Sequence, residues 1–271
     1  MKDPIYRLWA ILALAFAIFF VASAYDNINI LGLELKPSGM YNSVVNNDIA
    51  QEEESIVGQP AMNPQLMVES KETIPAITFP QPTDTASKSI LFIGDSMLEG
   101  LYPRLAAYAK QNGHKLNTVI WYSSTSQVWG ECDTLSHFIK QFSPDYIFVC
   151  LGANELFIKD IKKKRAKYVD HILNEIGDRH FLWIGPPNWK EDTGINDLLE
   201  SKLPKGSFFL SNGMKFDRAK DGAHPTRSSA ALWMDSVARW MPGNALYPIK
   251  LDKPTQKSAN ANRVVVLQPK K

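Results

Sequence analysis

Apolar and polar positions along the chain fall into three regimes. Residues 8 to 25, LWAILALAFAIFFVASAY, run for eighteen positions without a charge behind Lys2 and Arg7, about the length at which an apolar helix first spans a bilayer. Residues 26 to 87 show no sustained period of either kind. They carry prolines at 60, 64, 75, 80 and 82 and the acidic run NNDIAQEEES, and they read as a flexible tether. Short apolar pieces inside it, such as INILGLEL, can dock on a partner or on the folded domain. From residue 89 onward the pattern is regular: short β-branched and aromatic runs alternate with longer segments of helical period.

That alternation predicts strands at 89 to 94, 117 to 121, 145 to 151, 179 to 184 and 206 to 210. Helices are predicted near 97 to 112, 132 to 142, 157 to 176, 192 to 202 and 227 to 241. The strand segments are apolar almost throughout, as strands buried on both faces must be. The expected fold is one three-layer α/β/α sandwich on a five-stranded parallel sheet. The chain divides into an anchor or signal segment at 1 to 25, an acidic, proline-containing linker at 26 to 87, the α/β domain at 88 to 242 and a polar tail at 243 to 271. In such a sheet, reactive groups gather beyond the carboxyl ends of the strands, where loops converge and helix N-termini point.

Charge sharpens this division. Residues 26 to 87 hold nine acids against two lysines, a net of −7, which with +1 on residues 1 to 25 and +2 overall leaves +8 on residues 88 to 271. A basic domain favours an anionic polymer or a membrane surface without identifying one. There is no aromatic-basic recognition pattern and no zinc spacing, so nucleic acid is not an expected partner. The basic run KDIKKKRAK at 159 to 167 reads as a solvated helix face, with Ile161, Val169, Ile172, Leu173 and Ile176 turned toward the sheet.

The uncharged N-terminal run predicts export. Ala22-Ser23-Ala24 fits the small-x-small pattern of a signal-peptidase site, so secretion after cleavage behind Ala24 competes with the favoured reading, a retained anchor that holds the domain outside the cytoplasm, in the periplasm or at the cell surface. A buried helix of a soluble protein is the third reading. Cys132 and Cys150 are the only cysteines. Export would permit a disulfide, but Cys150 sits in the apolar run YIFVCLG and favours two separate buried thiols. Neither has the His-rich or CxxC company of a metal or redox site.

Three short stretches fall at strand ends or in the last loop: GDS at 94 to 96, GANE at 152 to 155 and DGAHP at 221 to 225. Ser96 follows the first strand directly, where free backbone N–H groups and a positive helix end favour developing negative charge; the bland alternative is that Ser96 or Asp95 caps the following helix. Asp221 and His224 stand three residues apart in a glycine-containing loop, a spacing that lets the carboxylate turn onto imidazole Nδ1 and leaves Nε2 to face a serine. The other histidines, His114, His137, His171 and His180, lack this arrangement and read as ordinary packed or exposed residues. An oxyanion needs donors. Gly152 permits close backbone approach and Asn154 offers an amide toward the same space, although Gly-x-Asn after a strand is also a common turn. In GPPNWK at 185 to 190, Asn188 and Trp189 can line a substrate cleft, Trp189 stacking on a sugar face; a rigid loop with Trp189 as a core plug fits equally well.

Together, Gly94-Asp95-Ser96, Gly152-Ala153-Asn154-Glu155 and Asp221-Gly222-Ala223-His224 resemble the G-D-S, G-x-N-D and D-x-x-H blocks of the SGNH (GDSL-like) hydrolase family, in that order and over roughly residues 88 to 242. The resemblance implies a flavodoxin-like SGNH fold, with Ser96 as nucleophile, His224 as general base and then acid, and Asp221 as its orienting partner. It also implies that the Ser96 N–H and the Asn154 side chain bind the oxyanion, with no metal or organic cofactor required. Two positions depart from the pattern. Glu155 replaces the usual Asp, keeping a loop hydrogen bond with a longer arm. The second-block glycine is missing after the second strand, where WYSSTSQVWG places serines, and a main-chain N–H from Ser124 to Ser126 is expected to serve instead.

The expected function is an extracytoplasmic serine esterase acting on O-acyl, above all O-acetyl, esters of cell-envelope carbohydrate through an acyl-enzyme. An O-acyltransferase working beside a membrane acyl exporter, or a non-catalytic glycan-binding scaffold that keeps the fold, are the alternatives.

Overall fold

The computed structural model describes residues 28 to 30, 33 to 35 and 79 to 269. The anchor or signal segment at 1 to 25 and most of the linker lie outside the described residues. Two short strands within the linker range, β1 (Ile28–Ile30) and β2 (Leu33–Leu35), pair antiparallel with Ile28 opposite Leu35. Among the described residues no helix is long and apolar enough to cross a membrane.

The period-two alternation of buried strands builds the main domain. In β3 (Ser89–Gly94), Ile90 and Phe92 feed one core while Leu91 and Ile93 feed the other, and all four are fully buried. The other strands are β4 (Lys115–Trp121), β5 (Tyr146–Cys150), β6 (His180–Ile184), β7 (Phe208–Phe209) and β8 (Arg263–Leu267). They lie in the order β7-β6-β5-β3-β4-β8, every neighbouring pair parallel. On the Ile90 face pack α1 (Leu98–Gln111) and α6 (Arg227–Asn244), through Leu101, Leu105, Trp233, Val237 and Met241. On the other face lie α2 (Ser126–Gly130), α3 (Thr134–Phe142), α4 (Ile161–Ile176) and α5 (Ile195–Lys202), through Trp129, Leu135, Ile172 and Leu198. This is the three-layer α/β/α sandwich expected. Ile161, Val169, Ile172 and Ile176 face the core while Lys162, Lys163, Lys164 and Lys167 are exposed, as the helical period required.

Two expectations need correction. The sheet has six strands rather than five, and the sixth, β8, comes from residues read as a polar tail. Its RVVVL run is β-branched, but the charges and prolines around it masked the signal. The tail reaches the β4 edge by bonding to what it crosses: Asn112 and Asp252 exchange two hydrogen bonds, Arg104 Nη1 donates to the Gln256 carbonyl, and the Ala259 N–H donates to the Pro103 carbonyl. Strand β7, in turn, holds only two residues, shorter than the 206 to 210 run suggested.

After β3 the chain crosses to β4 on one side, and β5 then lies on the other side of β3. That reversal opens a crevice at the carboxyl end of β3, where loops from both halves of the sheet meet. Gly94 closes β3 against β5 at this point: a Cβ there would stand 2.1 Å from the Cys150 carbonyl oxygen and 2.4 Å from Leu98 Cδ1. Only a residue without a side chain fits. Gly94→Ala is expected to lower unfolding stability in urea by about 3 kcal/mol, the upper end of the usual overpacking cost, with no comparable loss for Gly213→Ala, where a Cβ meets nothing within 4 Å.

Candidate active site

Ser96 stands at the mouth of this crevice, one residue beyond Asp95 and two beyond the end of β3. Its hydroxyl Oγ lies 2.7 Å from His224 Nε2, and His224 Nδ1 lies 2.9 Å from Asp221 Oδ2. The chain separation of 128 residues between Ser96 and His224 is closed by the loop between β7 and α6. That loop is built on its own backbone: the Ala219 N–H donates to the His224 carbonyl at 2.8 Å and the Thr226 N–H to the Asp217 carbonyl at 2.8 Å. Arg218 adds bonds from Nη1 to the Ala223 carbonyl and from Nη2 to the Asn188 carbonyl. Thr226 then caps α6 by accepting from the Ser229 N–H, so the last turn before the helix fixes the imidazole.

Asp221 works inside this loop at both carboxylate oxygens. Oδ1 accepts the N–H groups of His224 at 2.9 Å and Ala223 at 2.8 Å, while Oδ2 faces the ring. The His224 N–H, then that of Ala223, and the ring contact hold the Asp221 carboxyl down to about 2. It is therefore an anion at ordinary pH, fixed to receive a proton-bearing Nδ1 and to stabilise positive charge on the ring. With Nδ1 occupied, Nε2 is oriented to accept from the serine hydroxyl.

The cleft around this pair has a volume of about 400 Å³ and is walled by Met97, Glu99, Tyr122, Ser123, Pro225 and Arg227. Tyr122 donates to Glu99 Oε2 at 3.0 Å. Arg227, exposed at the first position of α6, makes no ion pair among the described residues. Sequence reasoning overlooked Glu99, Tyr122 and Arg227; the position of Arg227 three residues after His224 was the available signal.

The donors for a developing oxyanion differ from the expected set. Among the described residues the Ser96 N–H makes no hydrogen bond, and it remains a candidate. Asn154 Nδ2 donates one proton to the Ser124 carbonyl at 2.9 Å and keeps its second. Gly152 is buried with φ +118, its carbonyl accepting from the Glu155 N–H; it shapes the turn that presents Asn154. Ser126 is not available: it is buried, and its N–H and Oγ both donate to Glu155 at 2.8 Å. The Ser124 N–H is likewise used, donating to the Trp121 carbonyl. Ser123, one residue earlier, lines the cleft with φ +58, a left-handed conformation that glycine adopts most easily. Its N–H makes no hydrogen bond among the described residues. A serine at positive φ gives no sequence signal, which is why the neighbouring serines were favoured instead.

Asn188 and Trp189 are placed beside the third block rather than in the cleft. Trp189 Nε1 donates to the Ala153 carbonyl at 2.8 Å, its ring meets Phe157 edge-on, and Lys190 lies over both rings. Asn188 Oδ1 accepts from Asn196. The longer arm expected of Glu155 does hold the loop: fully buried, it also pairs with Arg165 Nε at 2.7 Å, joining the β5 loop to α2 and α4. Cys132 and Cys150 are both free thiols, Cys150 buried.

No family model matches the chain, and no curated protein matches it. Among solved structures it is similar to the psychrotrophic esterase EstA from Pseudoalteromonas sp., in a structure inhibited by monoethylphosphonate, at 18% identity and a TM-score of 0.41 over 56% of this chain and 97% of that one. The Clostridium thermocellum family 3 carbohydrate esterase matches at 17% identity and a TM-score of 0.43 over 58% and 100%. The salicylyl-acyltransferase SsfX3 from a tetracycline biosynthetic pathway matches at 15% and 0.38 over 58% and 55%.

Directly behind the serine, Asp95 is fully buried, accepts from the Met97 N–H at 2.9 Å, and has Oδ2 without a partner among the described residues. Burial first, with the nearby Glu155 charge, pushes its carboxyl from 3.8 up to about 7 against the pull of the Met97 and Ala153 N–H groups. Between about pH 4 and pH 7 the folded chain keeps a proton that the unfolded chain releases, so Asp95 makes stability fall as pH rises. Asp95→Asn removes that term. In urea melts the variant should gain on the wild type steadily from pH 4 to pH 7, whereas a pH-independent difference would mean that Asp95 is ionised throughout.

Proposed function

We propose that this chain is an SGNH-type serine esterase that removes short acyl groups, above all acetyl, from hydroxylated acceptors of the cell envelope. The observation that carries the reading is the unbroken relay from Ser96 Oγ to His224 Nε2 at 2.7 Å and from Nδ1 to Asp221 at 2.9 Å. As Ser96 attacks the ester carbonyl, its proton passes to Nε2 and the Asp221 anion stabilises the imidazolium. The carbonyl oxygen becomes an oxyanion facing the N–H groups of Ser96 and Ser123 and the free proton of Asn154. Collapse breaks the ester bond, and His224 returns the proton to the departing alcohol. Water, deprotonated by the same Nε2, then attacks the acyl-enzyme and releases the acid.

The substrate class rests on the cleft and on the N-terminal segment. Glu99, Tyr122, Ser123 and Arg227 give hydrogen-bonding walls beside the apolar Met97 and Pro225, which suits a sugar hydroxyl better than a long acyl chain. An exported or anchored N-terminus would place that site outside the cytoplasm, with the apolar N-terminal segment binding the membrane. If a membrane acyl exporter delivers the acyl group, a sugar hydroxyl replaces water in the second step and the same residues serve an O-acyltransferase. A scaffold without chemistry would have no need of an oriented relay.

The test is covalent. A fluorophosphonate probe should label the wild-type chain and fail on Ser96→Ala, and turnover of p-nitrophenyl acetate should drop at least about a thousandfold in Ser96→Ala and His224→Ala; a folded wild type that takes no label would sink the reading. With acetylated polysaccharide, release of acetate marks the esterase, and acetyl movement only onto an added glycan marks the transferase.

The oxyanion assignment has its own consequence. Asn154→Ala is expected to lower kcat about a hundredfold or more. Ser123→Gly keeps the main-chain donor and relieves the left-handed serine, so kcat should stay within a few fold. Equal losses in both variants would place the Ser123 side chain, rather than its N–H, in the reaction.

A further inference from the structure

On the face of the sheet away from α1 and α6, the last turns of α4 carry His171 and Glu175 four residues apart, on one side of the helix. Asp133, at the start of α3, completes a group whose three ligand atoms all lie within 4.8 Å of one another. We propose that Asp133, His171 and Glu175 bind a divalent first-row transition ion, with zinc as the fitting probe. None of these residues touches the serine site, and Cys132 beside them is not a member, its Sγ being turned to the Val128 carbonyl and Thr134 Oγ1.

The argument turns on Glu175. Its side chain is only 6% exposed, yet Oε2 has no hydrogen-bond partner among the described residues and faces His171 Nε2, equally unpartnered, at 3.8 Å. That gap is too long for a hydrogen bond. A sealed carboxylate oxygen that accepts no hydrogen bond is costly, and the 3.8 Å ion pair that His171 offers when protonated offsets only part of that cost. One ion between them removes the remainder. Two atoms bound about 2.1 Å from a shared zinc can lie no more than about 4.2 Å apart, so the observed pair already spans a coordination edge. A small rotation of the exposed Asp133 brings in a third ligand, leaving outward positions for water.

The donor set sets the metal class. One imidazole nitrogen and two carboxylate oxygens suit zinc, manganese or cobalt better than calcium, which takes six or more oxygens, and better than copper(I), which seeks sulfur. Glu175 is also held in place from the other side, Oε1 accepting the Ser136 N–H in the first turn of α3 at 3.0 Å. The neighbouring Tyr168 hydroxyl donates to Glu131 Oε1 at 2.8 Å. The ion would thus clamp the start of α3 to the end of α4, at the far end of the segment whose beginning, Ser123, lines the catalytic cleft.

Titration calorimetry of the EDTA-treated, dialysed full-length chain with zinc chloride should show one equivalent bound in the micromolar range or tighter. The affinity should be at least about tenfold weaker in His171→Ala, Asp133→Asn and Glu175→Gln, the last keeping an acceptor for the Ser136 N–H. His137→Ala, on the next turn of α3, should bind as the wild type does. Zinc at a hundredfold excess over Kd should raise the Tm of the wild type by about 5 °C or more and that of His171→Ala by much less. Cobalt(II) should give visible d–d bands without the near-ultraviolet thiolate band that Cys132 would add. Absence of uptake by the wild type, equal uptake by all variants, loss of uptake in His137→Ala, or a thiolate band would each overturn the assignment. Labelling of Ser96 by the fluorophosphonate is independent of every one of these outcomes.

Discussion

A hydroxyl at the end of the first central strand and an imidazole 128 residues later meet at 2.7 Å, and the candidate site is organised around that meeting. Neither partner is held by the contact itself. Ser96 is placed by the sheet, through the tight closure of β3 on β5 at Gly94. His224 is placed by a loop that satisfies its own backbone before it reaches α6. Two rigid supports built independently converge on one point, which is what preorganisation requires: a relay that formed only by mutual attraction would lose its geometry each time a substrate intruded.

A second layer of polar contacts lies under the relay. Glu155 sits at the centre of it, accepting from Ser126 twice and from Arg165, so the loops after β4 and β5 are tied to one another and to α4. A shorter aspartate at this position would have one methylene less with which to reach α2. Asp95 and Glu155 are both fully buried, and the Glu155 charge adds to the upward push that burial gives the Asp95 carboxyl beside Ser96.

Much of this was legible in the sequence because the strands are buried on both faces. Continuous apolar runs such as ILFI and YIFVC admit few alternatives, and the polar residues that follow them stand out as the site. The relay was readable from Asp221 and His224 for a local reason, a three-residue spacing around a glycine. What escaped was decided by backbone conformation and by chain-distant contact. Ser123 is distinguished from Ser124 and Ser126 only by its positive φ and free N–H, and composition says nothing of either. Strand β8 has a short β-branched core, but its place in the sheet is set by hydrogen bonds that the preceding, irregular segment makes to α1 and β4. Trp189 looked equally suited to a sugar and to a loop, and its indole N–H, bonded to the Ala153 carbonyl, ties it to the loop.

The lateness of β8 bears on how the domain is assembled. The strand that shields one side of β4 follows it by more than the length of the five intervening helices, so a chain arriving from its N-terminus exposes a bare strand edge until residue 267 has emerged. During that interval β4 is open to pairing with any extended segment nearby, including its own counterpart in a neighbouring nascent chain. Were the chain to cross a membrane before folding, threading would keep these edges apart until β8 arrived to cover β4.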